Sequence, residues 1–275
     1  MLHLGQGREA EVYAWGESFV LKLFWPEFSR EDVELEADIA AKVWAAGVPS
    51  PKVEDLLEME GRWGIVYERI FGVSLIEYVW QNPDQLFATA GLLGSLHRRI
   101  HQVAAPRGQP AGGWLPSQRE RFVQRIRASK LSEALKHDLL AHIGGLPDGS
   151  TLCHGDFHPD NVLVNGQIAL SGKNAWIIDW PNAVQGNPLA DVARTGLLLL
   201  YSALPPNLPA RRELLARRKR FYQVYLEHYL GSAPKADWEE LQAWMPVVAA
   251  VRLREGIEEE EPTLMRLIRQ GLRRR

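Results

Sequence analysis

Hydrophobic and polar positions alternate over short runs in the first seventy residues, a pattern that predicts β-strands. The run FVLKLF, residues 19–24, has the length and composition of a strand, and alternation places Lys22 on the same face as Val20 and Phe24. A charge on an apolar face is costly unless it has a partner. Lys22 is therefore a candidate functional residue.

The longer stretch SREDVELEADIAAKVWAAG has helical spacing instead. Ser29 and Asp32 form a capping signature at its start, and Gly47 provides a stop signal at its end. The inward stripe of this helix consists of Val33, Ala40 and Val43. Glu36 falls within this stripe, so we expect it to point inward and to pair with Lys22 on the neighbouring strand.

The pattern beyond this helix changes from strands to helices. KVEDLLEMEGRWGIVYERI predicts a hairpin that turns at Glu60-Gly61. After FGVSL, the stretches QLFATAGLLGSLHRRIH and RERFVQRIRASKLSEALKHDLLAHI each have helical spacing. NVLVNGQIAL predicts a further hairpin with an Asn-Gly turn, and AWIIDW predicts a buried strand that ends in Asp179. From Asp191 onward nearly all of the chain is predicted to be helical, with a break around residues 205–209.

These elements predict an α+β protein with two lobes. Residues 1–70 form a small lobe, an antiparallel sheet with one helix. Residues 71–275 form a larger, mainly helical lobe that also carries the short strands near its centre.

Composition narrows the class of protein further. The chain has 275 residues, 46% of them hydrophobic, and a formal net charge of -2, so no strong field attracts nucleic acid. Its single cysteine, Cys153, excludes an internal disulfide and fits a reducing compartment. The N-terminus lacks the apolar run of a signal peptide, and no stretch is apolar enough for a membrane span. We expect a soluble, cytoplasmic protein that binds neither nucleic acid nor a membrane.

A glycine pattern near the N-terminus indicates a phosphate-binding turn. LGQGREAEV contains Gly5, Gly7, Ala10 and Val12 in a G-x-G-x-x-A-x-V arrangement. Glycines let backbone N–H groups approach phosphate oxygens closely, although the spacing alone also suits an ordinary hairpin turn. Lys22 on the next strand favours the arrangement that protein-kinase-like folds use over ATP phosphates. A Rossmann fold is disfavoured, because a β-pattern and not a helix follows the glycines.

The stretch HGDFHPDN contains the strongest candidate for chemistry. Its H-G-D-x-x-x-x-N spacing places Asp156 and Asn161 as in a kinase catalytic loop, and Asp179 follows at the end of IIDW. Such chemistry needs an aspartate that orients or accepts the proton of a hydroxyl group. It also needs an asparagine and a second aspartate, because Mg²⁺ prefers hard oxygen ligands.

The same stretch has a rival interpretation as a metal nest. Its alternating ligand types are His154, Asp156, His158 and Asp160. A nest of this kind would indicate a zinc-dependent hydrolase, but the Pro159 kink disrupts the strand alternation that it requires. We expect His154 to brace the loop from within the core, and His158 has no assigned role.

Three other polar features have ordinary structural explanations. His97 and His101 have the spacing of a zinc pair, but HRRIH lacks the glutamate of a metalloprotease helix, so we interpret them as a helix face. RRELLARRKR is interpreted as a solvated helix face. The acidic run REGIEEEEP is interpreted as a solvated helix end, with a pocket for a cationic substrate as the alternative.

The stretches LCHGDFHPDNVLV and WIIDWPNAVQGNPLADVA resemble the aminoglycoside phosphotransferase/choline kinase family. The likeness extends more weakly through ERIFGVSL and GLLGSLH. That family has the protein-kinase-like fold and phosphorylates hydroxyl groups of small molecules. The resemblance therefore implies an ATP-dependent small-molecule kinase that uses ATP and Mg²⁺, built on an α+β, two-lobed protein-kinase-like fold.

The resemblance also implies roles in nucleotide binding for the lobe of residues 1–70. Lys22, held by Glu36, contacts the α- and β-phosphates. The backbone of Glu68 and Ile70 binds adenine. The Gly-rich lid over the nucleotide contains Gly5, Gly7 and Val12.

In the second lobe the resemblance implies that Asp156 is the catalytic base and that Asn161 and Asp179 bind Mg²⁺. IDW replaces the D-F-G of protein kinases and no A-P-E segment follows, which disfavours a protein substrate. The acceptor is left open among aminoglycoside-, amino sugar-, choline- and sugar-like hydroxyl compounds, a cationic one included. A catalytically silent nucleotide-binding module is the alternative from another class.

Overall fold

The computed structural model describes residues 1–103, 114–165, 172, 174–204, 211–232 and 234–273. Its strands are β1 (His3–Gln6), β2 (Ala10–Trp15), β3 (Phe19–Phe24), β4 (Val53–Met59), β5 (Arg62–Glu68), β6 (Val73–Ser74), β7 (Thr151–Cys153), β8 (Val162–Val164), β9 (Ala175–Ile177) and β10 (Val184–Gly186). Its helices are α1 (Arg30–Ala45), α2 (Leu75–Gln81), α3 (Leu86–His101), α4 (Gln118–Arg127), α5 (Glu133–Gly144), α6 (Pro188–Tyr201), α7 (Arg211–Leu230), α8 (Lys235–Arg252) and α9 (Glu261–Leu272).

The elements group into two compact units. The first contains residues 1–80 and 159–182, and the second contains residues 81–158 and 183–275. The first unit therefore includes β8 and β9, the two strands that directly follow HGDFHPDN. The functional division at residue 70 stays a prediction.

The first unit contains a five-stranded antiparallel sheet in the order β1-β2-β3-β5-β4. The hairpin between β4 and β5 turns at Glu60 (φ 54°) and Gly61 (φ 74°). Two successive residues with positive φ form the turn whose twist matches that of paired strands. The hairpin predicted at Glu60-Gly61 is confirmed.

Helix α1 packs its apolar stripe against one face of this sheet. Val33 and Ala37 form a core cluster with Phe24 and Ile65 from the strands. The predicted capping signature is present: the Ser29 hydroxyl accepts a hydrogen bond from the backbone N–H of Asp32, and the Asp32 carboxylate accepts one from the backbone N–H of Ser29. The cap fixes where the helix starts and therefore which residues face the sheet.

A second, three-stranded sheet in the first unit has the order β6-β8-β9. The strand expected to end in Asp179 ends instead at Ile177, and Asp179 has a left-handed backbone (φ 66°). The chain leaves the sheet because a left-handed residue cannot continue a strand. The turn predicted at Asn165-Gly166 and the break predicted around residues 205–209 lie wholly or partly outside the described residues.

The second unit is mainly helical. Helix α3 buries Leu93, Leu96 and Ile100, as its spacing predicts. Its backbone lies so close to α7 at Gly94 that an added Cβ atom would be only 2.2 Å from the carbonyl oxygen of Tyr225. Glycine at this position therefore permits the close packing. The short strands β7 and β10 of this unit pair antiparallel. No helix in the described part of the chain is long and apolar enough to cross a membrane.

The stretch RERFVQRIRASKLSEALKHDLLAHI, predicted as continuous helix, forms the two helices α4 and α5. The hydroxyl of Ser129 donates to the carbonyl of Ile126 and satisfies the end of α4. Ser132 caps the start of α5 by accepting from the backbone N–H of Leu135. The helix breaks there because serine side chains compete for backbone hydrogen bonds.

Candidate active site

Lys22 lies between two carboxylates in the first unit. Its Nζ donates to Oε1 of Glu36 at 2.6 Å and to Oδ1 of Asp179 at 3.1 Å. Glu36 is only 5% exposed, and the hydroxyl of Tyr67 also donates to its Oε1, at 3.4 Å. The pairing of Lys22 with Glu36 that strand alternation and helix spacing predict is confirmed. The contact with Asp179 was not predicted.

The charge of Lys22 is stabilised by these contacts. Burial alone would lower the pKa of its ammonium group, but the carboxylates of Asp179 and Glu36 outweigh burial and raise the pKa above its ordinary value. Lys22 is therefore fully protonated at neutral pH. A fixed positive charge of this kind can hold an anionic group such as a phosphate.

Asn161 and Asp179 lie at the same end of the pair formed by β8 and β9. Val162 is opposite Ile177 in this antiparallel pair, and the N–H of Ile178 donates to the carbonyl of Asn161 at 3.0 Å. Asn161 directly precedes β8, and Asp179 follows β9. The pairing thus brings the two predicted Mg²⁺ ligands together beside Lys22.

The left-handed backbone of Asp179 is a second unusual feature of this position. Positive φ is uncommon for residues other than glycine, and such residues concentrate at functional sites. Because the conformation turns the chain out of β9, it sets the direction of the Asp179 carboxylate toward Nζ of Lys22.

The Gly-rich turn joins β1 and β2. The N–H of Gly7 donates to the carbonyl of Ala10 at 2.8 Å, which closes a tight turn. Across the sheet, Gly5 is opposite Val12, and Val12 is opposite Lys22. Directly opposite residues of paired strands share a face, so Gly5, Val12 and Lys22 form one row on the sheet.

Nothing among the described residues of the first unit requires glycine at position 5. A Cβ atom there would meet nothing within 4 Å, and its φ is not among the positive values. Neither packing nor backbone conformation of the described residues calls for glycine at this position. The open space leaves room for a ligand above the backbone.

Glu68 and Ile70 lie at the end of β5. The N–H of Glu68 donates to the carbonyl of Lys52 at 2.9 Å, and the N–H of Arg69 donates to the carbonyl of Ser18 at 2.9 Å. The contribution of Glu68 to a ligand would therefore come from its carbonyl oxygen. Adenine binding by Glu68 and Ile70 stays a prediction.

In the second unit, Asp191 holds the backbone of the loop that contains Asp156. Its Oδ2 accepts from the N–H of His154 at 2.7 Å, and its Oδ1 accepts from the N–H of Gly155 at 2.9 Å. The ring Nδ1 of His154 accepts from the N–H of Asp156 at 3.2 Å. The expectation that His154 braces the loop from the core is confirmed.

Asp191 is in turn bound by two histidines of α3. Nε2 of His97 lies 3.1 Å and Nε2 of His101 lies 3.3 Å from Oδ2 of Asp191. The other ring nitrogens contact the hydroxyls of Tyr225 and Tyr229, both at 2.6 Å. The interpretation of the two histidines as a plain helix face is wrong, since packing of α3 against α7 buries them around Asp191.

These contacts separate the pKa values of the buried groups. Burial lowers the pKa of His97 to about 4, and the charge of Asp191 only partly opposes this. Burial would raise the pKa of Asp191, but the hydrogen bonds with His101 and His97 hold it well below its ordinary range. Asp191 is therefore anionic and His97 neutral at pH 7.

Asp156 contacts two cationic or potentially cationic side chains. Nη2 of Arg194, on α6, donates to its Oδ1 at 3.0 Å, and Nε2 of His158 lies 3.7 Å from its Oδ2. Burial alone would raise the pKa of Asp156, but His158 and Arg194 outweigh it and hold the pKa well below its usual value. Asp156 is therefore a carboxylate at neutral pH.

Arg194 links Asp156 to the C-terminal segment. Its Nη2 also donates to Oε1 of Glu255 at 2.7 Å, and Glu255 pairs with Arg252. Arg252 donates to both carboxylate oxygens of Glu260, at 2.8 and 2.9 Å. The acidic run was expected to be a solvated helix end. That is wrong for Glu255 and Glu260, because the two arginines pair with them.

The rival metal nest does not form. Among the described residues, ligand atoms of three such side chains lie within 4.8 Å of one another at His97, His101 and Asp191, and no such group includes His154, His158 or Asp160. The burial of Cys153 raises its pKa well above the ordinary value, in agreement with a packing role.

Comparison with known proteins identifies the family. The sequence profile of the phosphotransferase enzyme family matches residues 2–244. The chain therefore belongs to this family, which confirms the resemblance to aminoglycoside phosphotransferases and choline kinases. No curated protein sequence matches the chain at a significant level.

Several solved structures have the same fold. The amicoumacin kinase hAmiN, in complex with AMP-PNP, Ca²⁺ and Ami, has a TM-score of 0.63 and 18% identity, over 99% of this chain and 87% of that one. An aminoglycoside-3'-phosphotransferase of type VIII has a TM-score of 0.63 and 17% identity, over 90% of each chain. A choline/ethanolamine kinase family protein from Mesorhizobium loti has a TM-score of 0.55 and 18% identity, over 99% of this chain and 85% of that one. These likenesses confirm the predicted α+β, protein-kinase-like fold class.

Proposed function

We propose that this protein transfers the γ-phosphate of ATP to a hydroxyl group of a small molecule. The observation that carries the proposal is the contact of Lys22 with both Glu36 and Asp179. A lysine held by a helix glutamate, beside an aspartate that follows a short strand, is the arrangement with which protein-kinase-like enzymes hold phosphates and metal. Membership of the phosphotransferase enzyme family supports the same activity.

The first unit supplies the nucleotide-binding groups. Lys22 binds the α- and β-phosphates, and Glu36 fixes the direction of its ammonium group. The row of Gly5, Val12 and Lys22 lies on one face of the sheet, and the space above Gly5 lets the turn approach the nucleotide. Similar structures include one in complex with AMP-PNP and one that is ADP-bound, which supports ATP as the donor.

Asn161 and Asp179 fit a divalent cation of the Mg²⁺ type. Both offer hard oxygen ligands, and the β8-β9 pair brings them to one end of the sheet. The bound ion would neutralise charge on the phosphates during transfer. Lys22 then serves as the fixed protein cation next to the same aspartate.

Asp156 receives the acceptor hydroxyl. Its low pKa keeps it anionic, so it accepts a hydrogen bond from the hydroxyl group and orients the oxygen for attack. A carboxylate of low basicity suits phosphoryl transfer, because the loose transition state makes little demand on early proton removal. Asp191 and His154 keep the loop in place for this task.

A two-stage experiment tests this function. Thermal unfolding is measured with ATP, with ATP and Mg²⁺, and with Mg²⁺ alone, and we expect stabilisation that depends on both components. A panel of hydroxyl-bearing metabolites is then screened for ATP-dependent phosphorylation by mass spectrometry. Absence of any nucleotide effect at millimolar Mg-ATP contradicts the proposal. Nucleotide binding without turnover on a broad panel favours the silent module instead.

A further inference from the structure

Two histidines of α3 and one aspartate of α6 converge in the interior of the second unit. Nε2 of His97 and Nε2 of His101 lie 3.1 and 3.3 Å from the same carboxylate oxygen, Oδ2 of Asp191. The three side chains thus offer three atoms that can ligate a metal ion, all within 4.8 Å of one another. Histidines at positions i and i+4 of a helix form a zinc-binding pair in other proteins, and here a second helix supplies a third ligand.

The carboxylate of Asp191 is crowded at one of its two oxygens. Oδ2 also accepts from the backbone N–H of His154, so three nitrogen atoms contact it, whereas Oδ1 accepts from the backbone N–H of Gly155. A carboxylate oxygen has two lone pairs. An ion between Oδ2 and the two imidazoles of α3 would replace two of these contacts by one metal–oxygen bond and would leave the backbone hydrogen bond in place.

The charges in this part of the core favour a cation. Asp191 is buried and anionic, and among the described residues no lysine or arginine pairs with its carboxylate. A buried negative charge without a cation is costly. His97 is neutral at pH 7, because burial lowers its pKa to about 4 in the protein without an ion. Neutral imidazole and carboxylate are the protonation states in which these groups bind a metal.

The arrangement of the ligand atoms fits zinc. Zinc–ligand distances of about 2.0–2.1 Å place the corners of a tetrahedron about 3.3–3.4 Å apart, close to the two distances between the imidazoles and Oδ2. On the far side of each ring, Nδ1 of His97 contacts the hydroxyl of Tyr225, and Nδ1 of His101 contacts that of Tyr229, both at 2.6 Å. A partner on the far nitrogen fixes the tautomer and the ring orientation of a histidine that binds metal.

We propose that His97, His101 and Asp191 bind one Zn²⁺ ion, in addition to the Mg²⁺ site proposed for the first unit. The three side chains take three positions of a tetrahedron, and a water molecule takes the fourth. The ion joins α3 to α6 and, through the hydrogen bonds that Asp191 accepts, stabilises the loop that contains Asp156. The site needs neither nucleotide nor acceptor, so its test is independent of the proposed function.

Metal content is measured first. Because the side chain of His97 is fully buried, we expect the ion to bind during folding and to exchange slowly afterwards. The protein is purified from zinc-supplemented cells, unfolded in urea with EDTA, and refolded with Zn²⁺, with Mg²⁺ or without metal. We expect about one zinc ion per chain before unfolding and after refolding with Zn²⁺, and a higher Tm in these two samples than in the others. Absence of zinc from the purified protein, together with an unchanged Tm after refolding with Zn²⁺, overturns the inference.

A ligand variant then locates the ion. His101→Gln removes one of the three ligands and should lose both the zinc and the rise in Tm. His137→Gln, at an exposed position of α5, is the control and should keep both. Zinc retained to the same extent by His101→Gln and the wild type would place the ion elsewhere and overturn the inference.

Two tyrosines of α7 give a test that leaves all three ligands in place. Tyr229→Phe removes the hydroxyl that contacts His101 and should lower the affinity for zinc about 10–100-fold, the usual effect of losing such a partner. Tyr222→Phe is the matched control, because the hydroxyl of Tyr222 is buried and has no hydrogen-bond partner among the described residues. It should leave the affinity unchanged. Competition with a fluorescent zinc chelator measures both affinities, and equal values for the two variants contradict the proposed site.

Discussion

The backbone N–H of His154 donates a 2.7 Å hydrogen bond to Oδ2 of Asp191. This contact joins the loop that contains Asp156 to the first turn of α6, an element that follows it in the sequence only after the strands β8, β9 and β10. Asp191 is buried and anionic, so the loop is anchored by a charged group that has no access to water. The position of the proposed base therefore depends on a residue outside the stretch HGDFHPDN.

The first prediction concerns this anchor. Asp191→Asn removes the charge and at least one of the acceptor positions that serve His154, Gly155, His97 and His101. We expect the free energy of unfolding to fall by about 2–4 kcal/mol, because hydrogen bonds to a buried charge are among the strongest in a protein. Urea unfolding followed by circular dichroism measures the change. Asp148→Asn, at an exposed carboxylate, is the matched control and should stay within about 0.5 kcal/mol of the wild type.

The second prediction follows from the pKa of His97, which is about 4 in the folded protein against an ordinary value of 6.5. Between these values the unfolded chain binds a proton on this histidine that the folded protein does not. Its contribution to stability is thus complete above pH 6.5 and is lost as the pH falls toward 4. The loss is on the order of 3 kcal/mol.

Urea unfolding at several pH values between 4 and 7 measures this slope. His97→Gln should flatten it, since glutamine does not titrate. His137→Gln, which changes an exposed histidine, should leave the slope as it is in the wild type. An unchanged slope in His97→Gln would assign the acid sensitivity to other groups.

The third prediction tests whether Lys22 and Glu36 act as a unit in nucleotide binding. Lys22→Ala and Glu36→Ala should each weaken Mg-ATP binding, and the double variant should lose less than the sum. A coupling energy of about 1–3 kcal/mol is expected for buried partners in contact. Isothermal titration with Mg-ATP provides the four affinities. Glu34→Ala, on the exposed pair with Arg30, is the control and should have no effect on affinity.

The fourth prediction separates binding from chemistry. Asp156→Asn should keep near-normal Mg-ATP affinity and lower turnover roughly 10²–10⁴-fold, the usual effect of removing a positioned acid-base group. Asp179→Asn should weaken Mg-ATP binding as well, because Asp179 contacts Lys22 and is the proposed metal ligand. Steady-state kinetics on an identified acceptor and nucleotide titrations provide both quantities. Wild-type turnover in Asp156→Asn would remove Asp156 from its proposed role.

Local patterns were sufficient to predict the pairing of Lys22 with Glu36. Strand alternation placed Lys22 on an inner face, and helix spacing with a clear cap placed Glu36 opposite it. The first inference needs only the alternation of side chains along a strand, and the second needs only the spacing and the start of a helix. The structure adds the contact with Asp179, which depends on strand pairing across most of the chain.

The residues around Asp156 were harder to find for a physical reason. Asp191 and Arg194 are charged residues within the apolar sequence of α6, a signal that a buried charge needs a partner. Their partners lie on α3, in the loop that contains Asp156 and in the C-terminal segment, and no periodicity encodes those contacts. Spacing within α3 also gave the wrong interpretation of His97 and His101, because the packing of α3 against α7 decides whether the helix face that carries them is exposed.

The left-handed backbone at Asp179 has a consequence for which side chains this position accepts. Aspartate, asparagine and glycine adopt positive φ with little strain, whereas a β-branched residue does so only at a cost of about 1–2 kcal/mol. Within this set, only aspartate and asparagine also offer the side-chain oxygen that the proposed metal site requires. A change from Asp179 to valine would strain the backbone beyond β9 and also remove the charge, so its effect on activity would combine two causes that a change to asparagine keeps apart.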